Sequence, residues 1–361
     1  MKSEESVVTV IITELKPATM QWNHHLGLQN RVKRLKRLTA KTLVRFLSVS
    51  KLWSSIIRRQ DFKKLFLTVS SKQPQREAFI AAYHKTRFPY PYTVRVSHVR
   101  DLICIGTGST SDKLVVYNTS TRRSITLPKL DSQSFYVVKQ FLSYDPIDDV
   151  YKVLCMTRSN NTAEGKVLTL GNENSWKMIE GAWHTYMPNC YEICINGVLY
   201  YGLYGDNKET MHDPFVVSFD VRSEKFDLIS CPEEVHDYLR SLGIMIRYEG
   251  KLAIMSINVS LENCIVLWVL ENAMKHEWFE KVIDFPDSWP LRKDYRYIDF
   301  NDEGEFVLAP RHWCEPPYYV YYYDPKSNIL RKVPITGYEG RPDFMTYLFT
   351  STSQVESLMF L

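Results

Sequence analysis

No stretch of this 361-residue chain is apolar for long enough to cross a bilayer, which takes about 18 residues or more. The longest apolar run near the start, Val7 to Ile12, follows Glu4 and Glu5 and is too short for the core of a secretory signal. The motif Cys-x-x-Cys is absent. Seven cysteines stand at 104, 155, 190, 194, 231, 264 and 314, and only Cys190 and Cys194 are close in sequence. That pattern excludes a disulfide framework and a zinc finger, and it reads as reduced, mostly buried thiols. The expected compartment is therefore the cytoplasm, the nucleus or both, with no membrane contact.

Residues for catalysis are also missing in any usable arrangement. Gly106-Thr-Gly108-Ser lacks the lysine, the third glycine and the following helix of a phosphate loop, and reads as a strand ending in a turn. Cys190 and Cys194 fall on one face of a predicted strand without a histidine pair at finger spacing. His24 and His25 are adjacent and diverge on a helix. Arg311-His-Trp-Cys314 brings a histidine near a cysteine in sequence, but no nucleophilic pair is expected there. Asp145, Asp148 and Asp149 crowd a turn, where turn chemistry accounts for them. No enzyme activity, metal or cofactor is expected.

Acidic residues are absent between Thr19 and Gln60. Residues 31 to 64 carry twelve basic side chains against Asp61 alone, a local net charge of +11. With the whole chain at +4, everything else sums to −7. The cations are thus confined to one N-terminal module. The Lys/Arg cluster at 31 to 37 fits either an import address or phosphate-binding face, or a solvated helix side.

Within that module the apolar residues Leu38, Leu43, Phe46, Leu47, Val49, Trp53, Ile56, Ile57 and Phe62 recur at helical spacing. Helices this short cover too little apolar surface to stand alone, so they must lean on a partner or on the rest of the chain. The run Leu38-Thr-Ala-Lys-Thr-Leu-Val-Arg-Phe, followed by Val49-Ser-Lys-Leu-Trp, Ile56-Ile-Arg and Asp61-Phe, resembles the second half of a plant F-box. Where that family opens with Leu-Pro, acidic residues and an Ile-Leu pair, this chain has the basic residues 22 to 37, and Thr39 stands at the proline position. Half of the pattern is present.

Beyond residue 95, tight turns recur at Arg100-Asp101, Asp148-Asp149, Asn196-Gly197, Glu249-Gly250 and Glu303-Gly304, about 50 residues apart. A second turn follows each by roughly 20 residues, so each unit holds two hairpins, which is the period of kelch-like propeller blades. The run Tyr318 to Tyr323 reads as strand core. Tyr144-Asp-Pro-Ile-Asp-Asp-Val-Tyr-Lys-Val-Leu154, Ile195-Asn-Gly-Val-Leu-Tyr-Tyr201 and Val217-Ser-Phe-Asp-Val-Arg-Ser-Glu-Lys-Phe226 resemble the F-box-associated domain of plant F-box proteins.

The expected fold is mainly β, with short F-box-like helices followed by a kelch-like β-propeller of about five to six four-stranded units. The expected division is 1–30 an extension, 31–65 partial F-box helices, 66–94 a connection and 95–361 the propeller. The resemblance implies the substrate receptor of an SCF-type ubiquitin ligase, with a Skp-type adaptor, a cullin reached through it, and an unidentified target protein as partners. Carried over by resemblance, the adaptor-facing residues are Leu38, Leu43, Val44, Val49, Trp53 and Ile57. Substrate-binding residues are not legible. The alternatives are a nucleic-acid-binding or scaffold protein using the basic segment 31–64, or an adaptor-independent binding module. Closure of the ring is expected from the tail 344–349 pairing with early strands near 92–105.

Overall fold

The computed structural model describes residues 32, 35–70, 76–83, 94–107, 113–130, 136–158, 163–171, 175–180, 186–188, 192–205, 214–240, 244–256, 264–285, 295–301, 303–310, 319–334 and 346–360. Three helices come first: α1 (Ala40–Val49), α2 (Lys51–Arg58) and α3 (Gln60–Ser70). A strand follows, β1 (Arg76–Tyr83). The expected end of the helical part at 65 and the reading of 66–94 as a plain connection therefore change. The third helix runs on to Ser70, because Phe66 is needed in the helical core, and β1 lies inside the presumed connection.

Five antiparallel sheets then form in chain order. The first holds β2 (Val94–Val99), β3 (Leu102–Thr107), β4 (Lys113–Asn118) and β5 (Arg123–Thr126). The second holds β6 (Tyr136–Asp145), β7 (Val150–Arg158), β8 (Ala163–Thr169) and β9 (Lys177–Ile179). In the third, β10 (Tyr186–Pro188) and β11 (Ile193–Ile195) share one edge of β12 (Val198–Gly205), with β13 (Phe215–Asp220) and β14 (Lys225–Ser230) beyond it. The short α4 (His236–Arg240) leads to the fourth sheet: β15 (Ile244–Tyr248), β16 (Lys251–Ser256), β17 (Cys264–Asn272) and β18 (Glu277–Asp284). The fifth holds β19 (Tyr295–Phe300), β20 (Phe306–Pro310), β21 (Tyr319–Asp324) and β22 (Ile329–Pro334).

Each blade rests on two turns that bring a residue into the left-handed region. At the first turns these are Arg100 (φ 54°), Asp149 (56°), Asn196 with Gly197 (50° and 84°), Glu249 with Gly250 (48° and 81°) and Gly304 (89°). At the second turns they are Arg122, Gly171, Glu224, His276 and Asn328. Asn-Gly supplies this conformation cheaply, whereas a side chain such as Arg or Glu costs roughly 1–2 kcal/mol there and is held by the two strands it joins.

Burial explains why the strands read as continuous apolar runs. In β16, Leu252 and Ile254 pack toward the third blade, and Ala253 and Met255 toward the fifth. Likewise in β7, Val153 and Cys155 face the first blade while Leu154 and Met156 face the third. Each such sheet is buried on both sides, as radial stacking demands. Tryptophans add ties between blades: Trp176 Nε1 donates to Pro128 O at 2.9 Å, and Trp278 Nε1 to Ser230 O at 2.8 Å.

A two-stranded ribbon joins the two ends of the chain. β23 (Thr346–Gln354) pairs antiparallel with β1, with Ile80 opposite Phe349, and lies close to β2, β19 and β20. The expected pairing of the tail with strands near 92–105 does not form: β23 takes its hydrogen bonds from β1, earlier in the chain, and is only a neighbour of β2.

Candidate functional site

The helical module is built from caps that the sequence supplies locally and one that it does not. Thr39, at the position where the F-box pattern has proline, is the N-cap of α1, and its hydroxyl accepts from Thr42 N at 3.2 Å. No acidic residue lies in the first turn of α1. Instead Glu356 Oε2 accepts from Ala40 N at 3.1 Å, satisfying a second free N–H and placing negative charge at the positive helix end. Ser50 ends α1 and caps α2, accepting from Leu52 N. Asp61 opens α3, accepts from Phe62 N and pairs with Arg59, whose guanidinium holds that carboxyl below its usual range.

Leu35, Ala40, Leu43, Ile56, Ile57, Phe62 and Phe66 form the module's core, and Leu358 from the far end of the chain completes it. Phe46 and Trp53 flank this core with ring centroids 6.0 Å apart. The helices lean on the rest of the chain, one of the two solutions that their size requires.

The six residues singled out from sequence divide accordingly. Leu43 and Ile57 are fully buried and hold the helices together. Leu38, Val44 and Trp53 are half-buried. Val49 is 65% exposed, and beside it on the next helix Leu52 is 44% exposed. Leu52 is missed by the sequence reading, because the extended Ser50 breaks the helix between it and Val49 and no helical spacing links the two. Around this corner a groove of about 540 Å³ is lined by Leu47, Val49, Lys51, Ser54, Ser55 and Arg58. Arg37, Arg45, Lys51, Arg58 and Lys64 are exposed, so the apolar corner sits in a basic surface.

The three aspartates of the second blade's first turn each have a structural partner. Asp145 accepts from Ile147 N, Asp149 accepts from the Tyr144 hydroxyl and Asp148 pairs with Arg222, all within or between turns. Burial pushes the Cys104 thiol up to about 12 and the Cys194 thiol to about 11, away from nucleophilic use. Cys190, Cys314, His312, His24 and His25 lie outside the described residues. In β21, Val320, Tyr322 and Tyr323 are buried, and Lys332 Nζ lies 3.6 Å from the ring centroid of half-buried Tyr319. Among the described residues no group of three His, Cys, Asp or Glu side chains is placed to hold a metal, and no helix is long and apolar enough to cross a membrane.

The sequence itself is similar to a known family. The F-box associated beta propeller domain aligns with residues 54–355. An F-box protein of Arabidopsis thaliana is 39% identical over 377 residues, covering 91% of this chain and 92% of its own. Another from the same plant is 31% identical over 400 residues, covering 93% and 98%. Among solved structures, the calcium-binding protein regucalcin from Agrobacterium tumefaciens aligns at 14% identity over 67% of this chain and 74% of its own, with a TM-score of 0.39, too low to carry an argument. The chain belongs to the F-box protein family whose members carry an F-box-associated β-propeller.

Proposed function

We propose that this protein is the substrate receptor of an SCF-type ubiquitin ligase. The helical module docks a Skp-type adaptor and, through it, a cullin, while the propeller holds a target protein in the cytoplasm or nucleus. The observation that carries this reading is that Val49 and Leu52, at the end of α1 and the start of α2, stay exposed on a module whose other large apolar residues are buried or half-buried. Leu43 and Ile57 serve docking from inside, by fixing the angle between helices. Leu38, Val44 and Trp53 support the rim.

The helices sit at the end of the first blade that carries the Arg100 and Arg122 turns, since the tail residue Ser357 bonds Asp101 and Asn118 there. Alternating strand directions put the other end, marked by the Thr107–Lys113 pair, on the far side. A target held at that far end is kept clear of the adaptor. The receptor makes and breaks no bond; it raises the effective concentration of target lysines near the conjugating enzyme.

The test is affinity capture of the full chain from plant cells. Skp-type adaptor and cullin should be retained with wild type and lost with Val49→Glu or Leu52→Glu, whose exposed positions spare the fold. Retention of neither by the wild type would overturn the reading.

A further inference from the structure

Residues 355 to 360 leave β23 and contact two bodies at once. Glu356 reaches the helices, accepting from Ala40 N, and Leu358, 1% exposed, fills the helical core. The intervening residue turns the other way. Ser357 N donates to Asp101 Oδ2 at 2.8 Å, and Asn118 Nδ2 donates to Ser357 Oγ at 3.1 Å and to Met359 O at 3.4 Å. Met359 and Phe360 pack against the core shared by the first and second blades. The segment alternates like an extended strand between two surfaces, with even-numbered Glu356 and Leu358 on the helices and Ser357 and Met359 on the propeller.

We propose that this segment is a strap that fixes the helical module on the propeller, and that Glu356 and Leu358 are positioning residues for adaptor docking. The helices are also tied covalently to β1, which follows α3 in the chain. One covalent tether sets a distance but leaves orientation free; a second attachment from the opposite chain end removes that freedom. Orientation is what a receptor must supply, because proximity helps only when the target is held where the conjugating enzyme reaches. The strap also supplies the carboxylate that α1 lacks in its own first turn. Both ends of the chain thereby contribute to the docking module.

The docking half of this proposal rests on the receptor reading; the strap itself does not. Hydrogen exchange on the full chain separates them. In Leu358→Ser, amides of residues 40–70 should exchange at least tenfold faster than in wild type, while those of β16 and β17 in the fourth blade change less than twofold. Glu356→Gln, which keeps the shape and removes the charge, is the milder second variant and should speed exchange severalfold at the start of α1 alone. With purified Skp-type adaptor, Leu358→Ser should bind at least tenfold more weakly. Unchanged exchange in 40–70, or an equal rise in every blade, would overturn the strap. If wild type itself binds no adaptor, the receptor reading fails while the exchange result still decides the strap. If wild type binds and both variants bind equally well, the positioning role is wrong.

Discussion

The backbone N–H of Ser357 is bonded to Oδ2 of Asp101 at 2.8 Å, tying the last residues of the chain to the first turn of the first blade. Asp101 is fully buried, and burial pushes its carboxyl up to about 6, against the pull of hydrogen bonds from Ser357 and Ser120. A carboxyl raised in the folded state favours folding most below its unfolded value near 4, and that contribution is lost as pH rises through about 6. The shift is worth on the order of 3 kcal/mol. Asp101→Asn keeps an acceptor for Ser357 and removes the titration. Its stability relative to wild type should therefore be more favourable at pH 7 than at pH 3.5 by that amount, read from denaturant midpoints at both values. A difference independent of pH would refute the assignment.

Gly197 and Gly171 both have positive φ, but only Gly197 is crowded. A Cβ at Gly197 would meet Pro146 Cδ at 3.0 Å, whereas one at Gly171 meets nothing within 4 Å. Each alanine substitution should cost about 1–2 kcal/mol for the backbone conformation. Gly197→Ala should add the clash, so its melting temperature should fall further than that of Gly171→Ala. Equal losses would show that the second and third blades have room to adjust at this turn.

Two ion pairs join the same blades with different consequences. Lys152 is nearly buried where it meets Glu224, while Arg222 and Asp148 are both about half exposed. Glu224→Gln leaves a buried ammonium without its counter-charge and should cost about 1–3 kcal/mol. Asp148→Asn should cost less than about 1 kcal/mol, because an exposed pair is screened by solvent. Chemical denaturation of the two variants side by side gives the comparison.

Closure of the ring depends on β23. Deleting residues 346–361 removes the partner of β1 and the neighbour of β2 and β19, leaving open edges. The propeller should then aggregate or unfold as a whole during gel filtration. A truncated protein that stays monomeric and melts at the full-length temperature would show that the ring does not need this strand.

Much of the propeller was legible because its signals are local. The Asn196-Gly197 turn announces itself, and the 50-residue spacing carries from it to turns without glycine, such as Arg100-Asp101 and Asp148-Asp149. β1 was not legible: Ala78, Ala81 and Ala82 give it little strand character, and its partner lies at the other end of the chain. The same distance hid the strap, since nothing local to Leu358 says that it belongs with Leu43 and Ile57. The family resemblance pointed to the candidate docking residues, and neither it nor helical spacing could sort them. Position along a periodic face does not tell a core residue such as Ile57 from an exposed one such as Val49, because the covering Phe66 and Leu358 come from elsewhere.

One titration bears most directly on the receptor reading: purified full-length chain against a purified Skp-type adaptor, monitored by calorimetry, with Leu52→Glu as the comparison. The account predicts a one-to-one complex for wild type and at least a tenfold loss of affinity for the variant, with both proteins melting alike. No complex with wild type, or equal binding by the variant, would contradict it.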